Sequence, residues 1–113
     1  MRSTRYHTLV RDKIPDIIRA GGGVPQLRVL DDDEYLAELK KKIIQSAWDV
    51  FYSEPQNLKE HFAELLEIST WMMKGVDVDP QDVFAVVEQR REARGGFAEK
   101  YYLVSVEEES EKE

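Results

Sequence analysis

Two pairs of polar side chains, each spaced three residues apart, are the first candidates for chemistry. Ser46 precedes Asp49 by three, and His61 precedes Glu64 by three, each in a stretch with helical hydrophobic periodicity. Residues three apart lie on one face of a helix. Facing helices that each present such a pair inward build divalent-ion sites in helical bundles. The pattern is typical of a metal site, and a plain bundle with a solvated Glu and a hydrogen-bonded His is also compatible with it.

Basic residues form a second candidate site. Arg11 and Lys13 precede the first predicted helix, and three arginines gather at the end of the last one: Arg90, Arg91 and Arg94. Gly95 and Gly96 follow directly and allow close backbone approach. Arginine offers paired donors to phosphate oxygens, so this set predicts phosphate binding. The alternative is a favourable interaction of these cations with the carboxyl end of the helix.

Composition limits the classes of partner. The chain has 113 residues, a net charge of −7 and no cysteine, with a pI of about 4.9. The acidic balance argues against a nucleic-acid polymer or a membrane surface as main partner. The missing cysteines exclude disulfides and thiolate ligands. No long apolar run or signal-peptide stretch is present, so we expect a cytoplasmic protein.

Hydrophobic periodicity predicts a mostly α protein. Four helices are expected: Lys13–Ala20 capped by Asp12, Glu34–Tyr52 capped by Asp31–Asp33, Leu58–Lys74, and one from Asp79-Pro80 to Arg94, with Val83, Phe84 and Val87 buried. The connection 53–57 is short, so the two long helices should form an antiparallel pair. The pattern therefore predicts a helical bundle built on this pair.

A small β element and the domain limits complete the prediction. Gln26–Leu30 reads as a strand that pairs with Tyr101–Val106. One domain is expected over residues 1–106, followed by an acidic, disordered tail over residues 107–113. Since so small a domain leaves much apolar surface exposed, a homodimer or higher homo-oligomer is expected.

Several segments resemble one enzyme family. The run YHTLVRDKIP, Tyr6–Pro15, is similar to the N-terminal signature of MazG-like all-α nucleoside triphosphate pyrophosphohydrolases, also called phosphoribosyl-ATP pyrophosphohydrolase-like proteins. Val29–Tyr35, Leu39–Ile44 and Arg94–Phe97 resemble the same family in the same order, over residues 6–105. The resemblance implies a MazG-like bundle, dimerisation, and Mg²⁺-dependent hydrolysis of a nucleoside triphosphate to its monophosphate and pyrophosphate.

The family's metal motif is altered in this chain. Its pattern is EExxE on one long helix and ExxD on the next, and these align with residues 45–49 and 61–64. Gln45, Ser46 and His61 replace carboxylates, whereas Asp49 and Glu64 retain one. The resemblance thus implies metal ligation by Ser46, Asp49, His61 and Glu64, with Asp49 and Glu64 catalytic. The candidate cofactor is Mg²⁺ or Mn²⁺: the resemblance implies Mg²⁺, whereas the imidazole of His61 favours Mn²⁺ or another transition ion.

Two functions remain open at the level of sequence. The first is a divalent-metal-dependent nucleoside triphosphate pyrophosphohydrolase in which Arg11, Lys13 and Arg94 bind the phosphates. The second is a catalytically impaired homologue that acts as a nucleotide-binding or structural module. For the expected oligomer, four large side chains are candidates for the interface, and core packing is the alternative role that we favour for each of them: Trp48, Trp71, Met72 and Met73.

Overall fold

The computed structural model describes residues 6–108. This part of the chain consists of helices joined by irregular segments. The helices are α1 (Ile14–Ala20), α2 (Asp32–Tyr52), α3 (Leu58–Gly75) and α4 (Pro80–Arg94), with a 3-10 turn at Pro55–Asn57 between α2 and α3. The chain divides after Pro80 into two compact units. The mostly α prediction is confirmed, while the single domain over residues 1–106 stays a prediction. Within residues 6–108, no helix has the length and apolar character to cross a bilayer.

The start of α2 follows directly from its acidic sequence. Asp31 is extended, and its side chain accepts a hydrogen bond of 2.9 Å from the backbone N–H of Glu34. This satisfies one of the donors that every helix leaves unpaired at its N-terminus. Acidic residues in the first turn add a favourable interaction with the helix dipole. The predicted capping at Asp31 is confirmed.

The start of α1 differs from the prediction. Lys13, not Asp12, is the N-cap residue, and no side chain caps this helix. The chain enters α1 through a tight turn in which the N–H of Ile14 donates to the carbonyl of Arg11 at 3.0 Å. Lys13 already has helical dihedrals. Asp12 lies within this turn, one residue before the N-cap position from which a side chain caps a helix.

α2 and α3 form the predicted antiparallel pair. The short connection joins the end of α2 to the start of α3. At the other end of the pair, Gly75 lies so close to Leu36 that a Cβ on the glycine would come within 2.8 Å of the Leu36 Cδ2. Leu39 and Ile68 are 4% and 6% exposed and form the buried centre of this contact. The core of the first unit is thus narrow and lies between two helices.

The predicted β element is not confirmed. Neither Gln26–Leu30 nor Tyr101–Val106 forms a strand, and none is assigned within residues 6–108. Val29 is 95% exposed and Tyr101 is 90% exposed. A two-stranded ribbon is marginal in water unless it buries a face, and these side chains bury none. Residues 107 and 108 lack regular structure, and the rest of the predicted tail lies outside the described residues.

The second unit consists of α4 and the segment after it. The predicted burial of Phe84 and Val87 is wrong, since both are exposed, and Val83 is half-buried. Residues 95–108 contain no other helix, so the unit offers nothing extensive to cover the apolar side of α4. Gly95 ends α4 with a positive φ of 82°, a backbone conformation that glycine adopts without a steric penalty.

The α2–α3 pair has one broad side that is exposed and apolar. Successive residues of a helix are rotated by about 100° around its axis, so the position of a residue in the sequence tells how far its side chain is turned from the α2–α3 contact. In an antiparallel pair, side chains that are turned from the contact by the same angle in the two helices lie on the same side of the pair. Five large side chains define this apolar face, and each is more than half exposed: Ile44, Trp48, Phe51, Phe62 and Leu66. The opposite side of the pair carries the N-terminal segment.

Candidate functional site

A groove of about 450 Å³ lies between the N-terminal segment and the α2–α3 pair. We name residues 8–14 the strap, because all of them except Lys13 line one wall of this groove. Its floor is apolar and includes Leu39 and Ile68, and Tyr35 and Trp71 contribute aromatic surface. Charged side chains from three elements also line it: Arg11, Asp12, Lys42, Glu64 and Glu67. A cavity of this size and mixed lining is suited to a small molecule.

Arg11 is the central charged group of the groove. Its guanidinium donates a hydrogen bond to the Glu64 carboxylate, and its other terminal nitrogen lies 3.8 Å from the Glu67 carboxylate. The hydrogen bond and negative charge of Glu64, together with the charge of Glu67, raise the pKa of Arg11 above its ordinary value. The three side chains are partly exposed, so salt screens their attraction. A residue predicted to bind phosphate thus contacts one predicted to bind metal.

Glu67 is a site residue that the sequence reasoning did not select. Besides Arg11, it accepts a hydrogen bond of 3.1 Å from the indole N–H of Trp71. The Lys74 ammonium lies 4.3 Å from the centre of the Trp71 ring, within the range of a cation–π contact. Glu67 follows Glu64 by three and precedes Trp71 by four, the spacings that place side chains on one helical face. This spacing is the feature of the sequence from which Glu67 could have been identified as a site residue.

Lys42 is the second residue that sequence reasoning missed. Its ammonium donates a hydrogen bond of 3.3 Å to the hydroxyl of Thr8. It lies on α2 one turn beyond Leu39, on the same side of the pair as Glu64. The strap is therefore connected to α2 by Thr8 and to α3 by Arg11. Its spacing of three from Leu39 separates it from Lys40 and Lys41, but only the position of the strap shows that this side of α2 faces a groove.

The four predicted metal ligands have different surroundings. Ser46 is 4% exposed on the α3-facing side of α2, whereas Asp49 is exposed. His61 is half-buried on α3, and Glu64 is paired with Arg11. Within residues 6–108, no three side chains of His, Cys, Asp or Glu are grouped as a metal ion requires.

This donor set does not fit a Mg²⁺ site. That ion needs several oxygen ligands in near-octahedral geometry. A buried hydroxyl and a carboxylate occupied by a guanidinium do not supply them. The metal ligation and the catalytic roles of Asp49 and Glu64 stay predictions, and we derive no chemical step through a metal.

The predicted phosphate-binding residues are only partly grouped. Arg11 and Lys13 belong to the strap, and the Lys13 side chain is exposed. Arg94 is the last residue of α4 and belongs to the second unit. It is exposed, as are Arg90 and Arg91. The contribution of Arg94 to a phosphate site stays a prediction.

Comparison with known proteins gives one short match. A protein of Mycolicibacterium smegmatis, described as an uncharacterized protein, is 57% identical over 35 residues. The match covers 31% of this chain and 36% of the relative, so the chain spans about a third of that relative's length. No family model matches this chain, and no solved structure matches it. Membership of the MazG-like family stays a prediction that rests on the resemblance of the sequence segments.

Proposed function

We propose that this protein is a MazG-like homologue with impaired pyrophosphohydrolase chemistry that binds a nucleotide or a related phosphate-bearing small molecule in the groove. The observation that carries the proposal is the pairing of cationic and aromatic side chains around an apolar floor. Arg11 and Lys42 supply donors for phosphate oxygens. Tyr35 and Trp71 supply the surfaces on which a base stacks.

The same geometry favours binding over turnover. Glu64, the carboxylate retained from the family's second motif, is neutralised by Arg11. Gln45, Ser46 and His61 carry no carboxylate where the family has one. Together these features leave a divalent ion with fewer oxygen ligands than the family provides. The Mg²⁺ or Mn²⁺ implied by the resemblance is therefore an assay condition and not a component of the proposed site.

Hydrolysis remains the second candidate because of one specific feature. Glu64 and Glu67 place two carboxylates beside the groove. When a phosphate draws Arg11 away from them, either carboxylate is free to orient a water molecule or accept its proton. This candidate retains Glu64 as the catalytic residue. Asp49 is exposed and is not among the groove-lining residues.

A homodimer belongs to the same proposal. The apolar face presents five large side chains that are more than half exposed. Trp48 packs its ring against Phe51 and Tyr52 there, with centroid distances of 6.0 and 5.3 Å. A second copy would cover this surface by apolar burial, the main driving force of permanent subunit contacts. Trp71 contributes to the groove instead, and Met72 and Met73 are half-buried.

Binding is tested by thermal unfolding with ATP, dUTP and pyrophosphate. A ligand at 100 times its dissociation constant adds about 2.7 kcal/mol to stability. We expect such a shift for the wild type and for Lys40→Ala, an exposed lysine that does not line the groove. The shift should shrink in Lys42→Ala. If none of the three compounds shifts the wild type, with or without Mn²⁺, the protein does not bind nucleotides through this groove.

Turnover is tested by pyrophosphate release from nucleoside triphosphates with Mg²⁺ or Mn²⁺. The proposal expects no metal-dependent release above that of Glu64→Gln. Release that Glu64→Gln abolishes would establish the hydrolase instead. Arg94→Ala in the same assays decides whether the second unit contributes to phosphate binding.

A further inference from the structure

The strap is attached to the rest of its unit mainly through side chains. Its backbone hydrogen bonds, from the Ile14 N–H to the Arg11 carbonyl and from the Ile17 N–H to the Lys13 carbonyl, lie within the turn that starts α1. Its side-chain contacts run to α3 through Arg11 and to α2 through Thr8. Leu9 and Ile14 are half-buried, and Val10 is exposed. Segments with few buried apolar contacts open at low free-energy cost.

From this arrangement we infer that the strap is a gate over the groove. Its clasp is the contact of Arg11 with Glu64 and Glu67, and a phosphate ligand opens it by replacing those carboxylates as the partner of Arg11. The opening of the gate by a ligand rests on the proposed function, namely that a phosphate-bearing molecule binds in the groove. In the closed state the Arg11 guanidinium neutralises the Glu64 and Glu67 carboxylates, which would otherwise repel each other and the ligand. In the liganded state it binds the phosphate.

If Glu64 competes with the ligand for Arg11, substituting Glu64 should change ligand affinity in the direction opposite to that expected if Glu64 bound the ligand itself. Removing the charge of Glu64 deletes the clasp, frees Arg11 and removes a negative group from the ligand's surroundings. A gate therefore predicts that Glu64→Gln binds phosphate ligands more tightly than the wild type. A Glu64 that bound ligand or metal directly would give weaker binding on the same substitution.

The clasp is tested by amide hydrogen exchange of Ile14, whose N–H donates a hydrogen bond to the carbonyl of Arg11 and thus reports the opening of the strap. The variants are Glu64→Gln and the control Glu60→Gln, an exposed glutamate on the same helix that does not line the groove. We expect exchange to become about threefold faster in Glu64→Gln, the size typical of an exposed ion pair. High salt should accelerate the wild type similarly, because the pair is exposed to screening. Unchanged exchange in Glu64→Gln overturns the clasp.

The gate is tested by calorimetric titration of the same proteins with ATP and with pyrophosphate. Glu64→Gln should bind several-fold more tightly than the wild type, and Glu60→Gln should match the wild type. Equal or weaker binding to Glu64→Gln overturns the gate. If neither ligand binds any of the proteins, the proposed function and the ligand step fail together, and the exchange experiment still decides the clasp. Protection of the α2 and α3 amides in every variant verifies that the helix pair is folded.

Discussion

At the scale of single residues, surroundings assign roles that residue type alone leaves open. Arg11 and Glu64 were predicted to bind different parts of one substrate complex, and the structure places them in contact with each other. Ser46 occupies a position that is acidic in the resembling family, and here it lies in the narrow α2–α3 core. A hydroxyl tolerates such a site far better than a carboxylate. The substitution in the motif and the burial of the residue are thus mutually consistent.

The burial of Ser46 predicts the result of restoring the family's motif. Ser46→Glu should lower the free energy of unfolding by about 2 kcal/mol or more, because it places an unpaired charge between α2 and α3. Gln45→Glu is the matched control, since Gln45 is the exposed neighbour on the same turn and should change stability by less than about 0.5 kcal/mol. Urea unfolding followed by circular dichroism measures both. Equal stability of the two variants would show that position 46 is not buried in solution.

The burial of Leu39 gives a prediction for how much the contact between α2 and α3 contributes to stability. Leu39→Ala should cost about 2–5 kcal/mol of stability, because the side chain is 4% exposed and its removal leaves a cavity against α3. Leu27→Ala, at an exposed position in the irregular segment before α2, should cost far less. The comparison uses the midpoint of urea unfolding. Similar costs at the two positions would contradict the packing described for α2 and α3.

At the scale of elements, α2 performs three tasks at once. One side packs against α3 through Leu39, another lines the groove with Tyr35 and Lys42, and a third contributes Ile44 to the apolar face. A helix of 21 residues has room for three such stripes, because side chains point in all directions around its axis. Its correct start is therefore important, since a change in its register would displace all three.

The N-cap of α2 gives a prediction at this scale. Asp31→Ala removes the acceptor for the Glu34 N–H and should destabilise the protein by about 0.5–2 kcal/mol. Asp33→Ala is the control, since it deletes an exposed acidic residue of the first turn without removing that hydrogen bond. Its cost should stay within about 0.3–1 kcal/mol. Thermal unfolding of both variants at one salt concentration tests the difference, and equal effects would mean that charge alone stabilises the helix start.

At the scale of the whole molecule, buried apolar surface is scarce among the described residues. Leu39 and Ile68 are the buried hydrophobic side chains within residues 6–108. A contact this narrow supplies little of the apolar burial that usually offsets the conformational entropy of folding. The large side chains of the apolar face, and those of α4 such as Phe84, remain exposed. Association with a second copy would add the missing burial.

Self-association is therefore the prediction for the whole chain. Analytical ultracentrifugation should give a homodimer or larger species for the wild type at micromolar concentration. Ile44→Glu should shift the protein toward the monomer, because a charge in the centre of an apolar interface is desolvated without a partner. Gln45→Glu introduces the same charge one residue away, off the apolar face, and should leave the oligomer intact. A monomeric wild type would contradict the proposed dimer.

The sequence by itself determined the two long helices and their antiparallel pairing. Hydrophobic periodicity placed α2 and α3, Asp31 placed the start of α2, and the short connection after Tyr52 made the pair antiparallel. These features depend on contacts between residues close in the chain, which leave a readable spacing. The β element was predicted by the same local rules and is not confirmed. A strand depends on a partner and on a surface to cover, and local sequence specifies neither.

Only the tertiary structure decided which charged groups meet. The contact of Arg11 with Glu64 joins residues 53 positions apart, and that of Thr8 with Lys42 joins residues 34 apart. The spacing along α2 separates Lys42 from its neighbouring lysines, but it does not indicate that Lys42 reaches the strap. That contact depends on the rotation of α2 against α3 and on the path of the chain before α1. The partners of long, flexible charged side chains are set by the arrangement of the helices, which the local sequence does not specify. For this reason the groove and its clasp could be identified only from the tertiary structure.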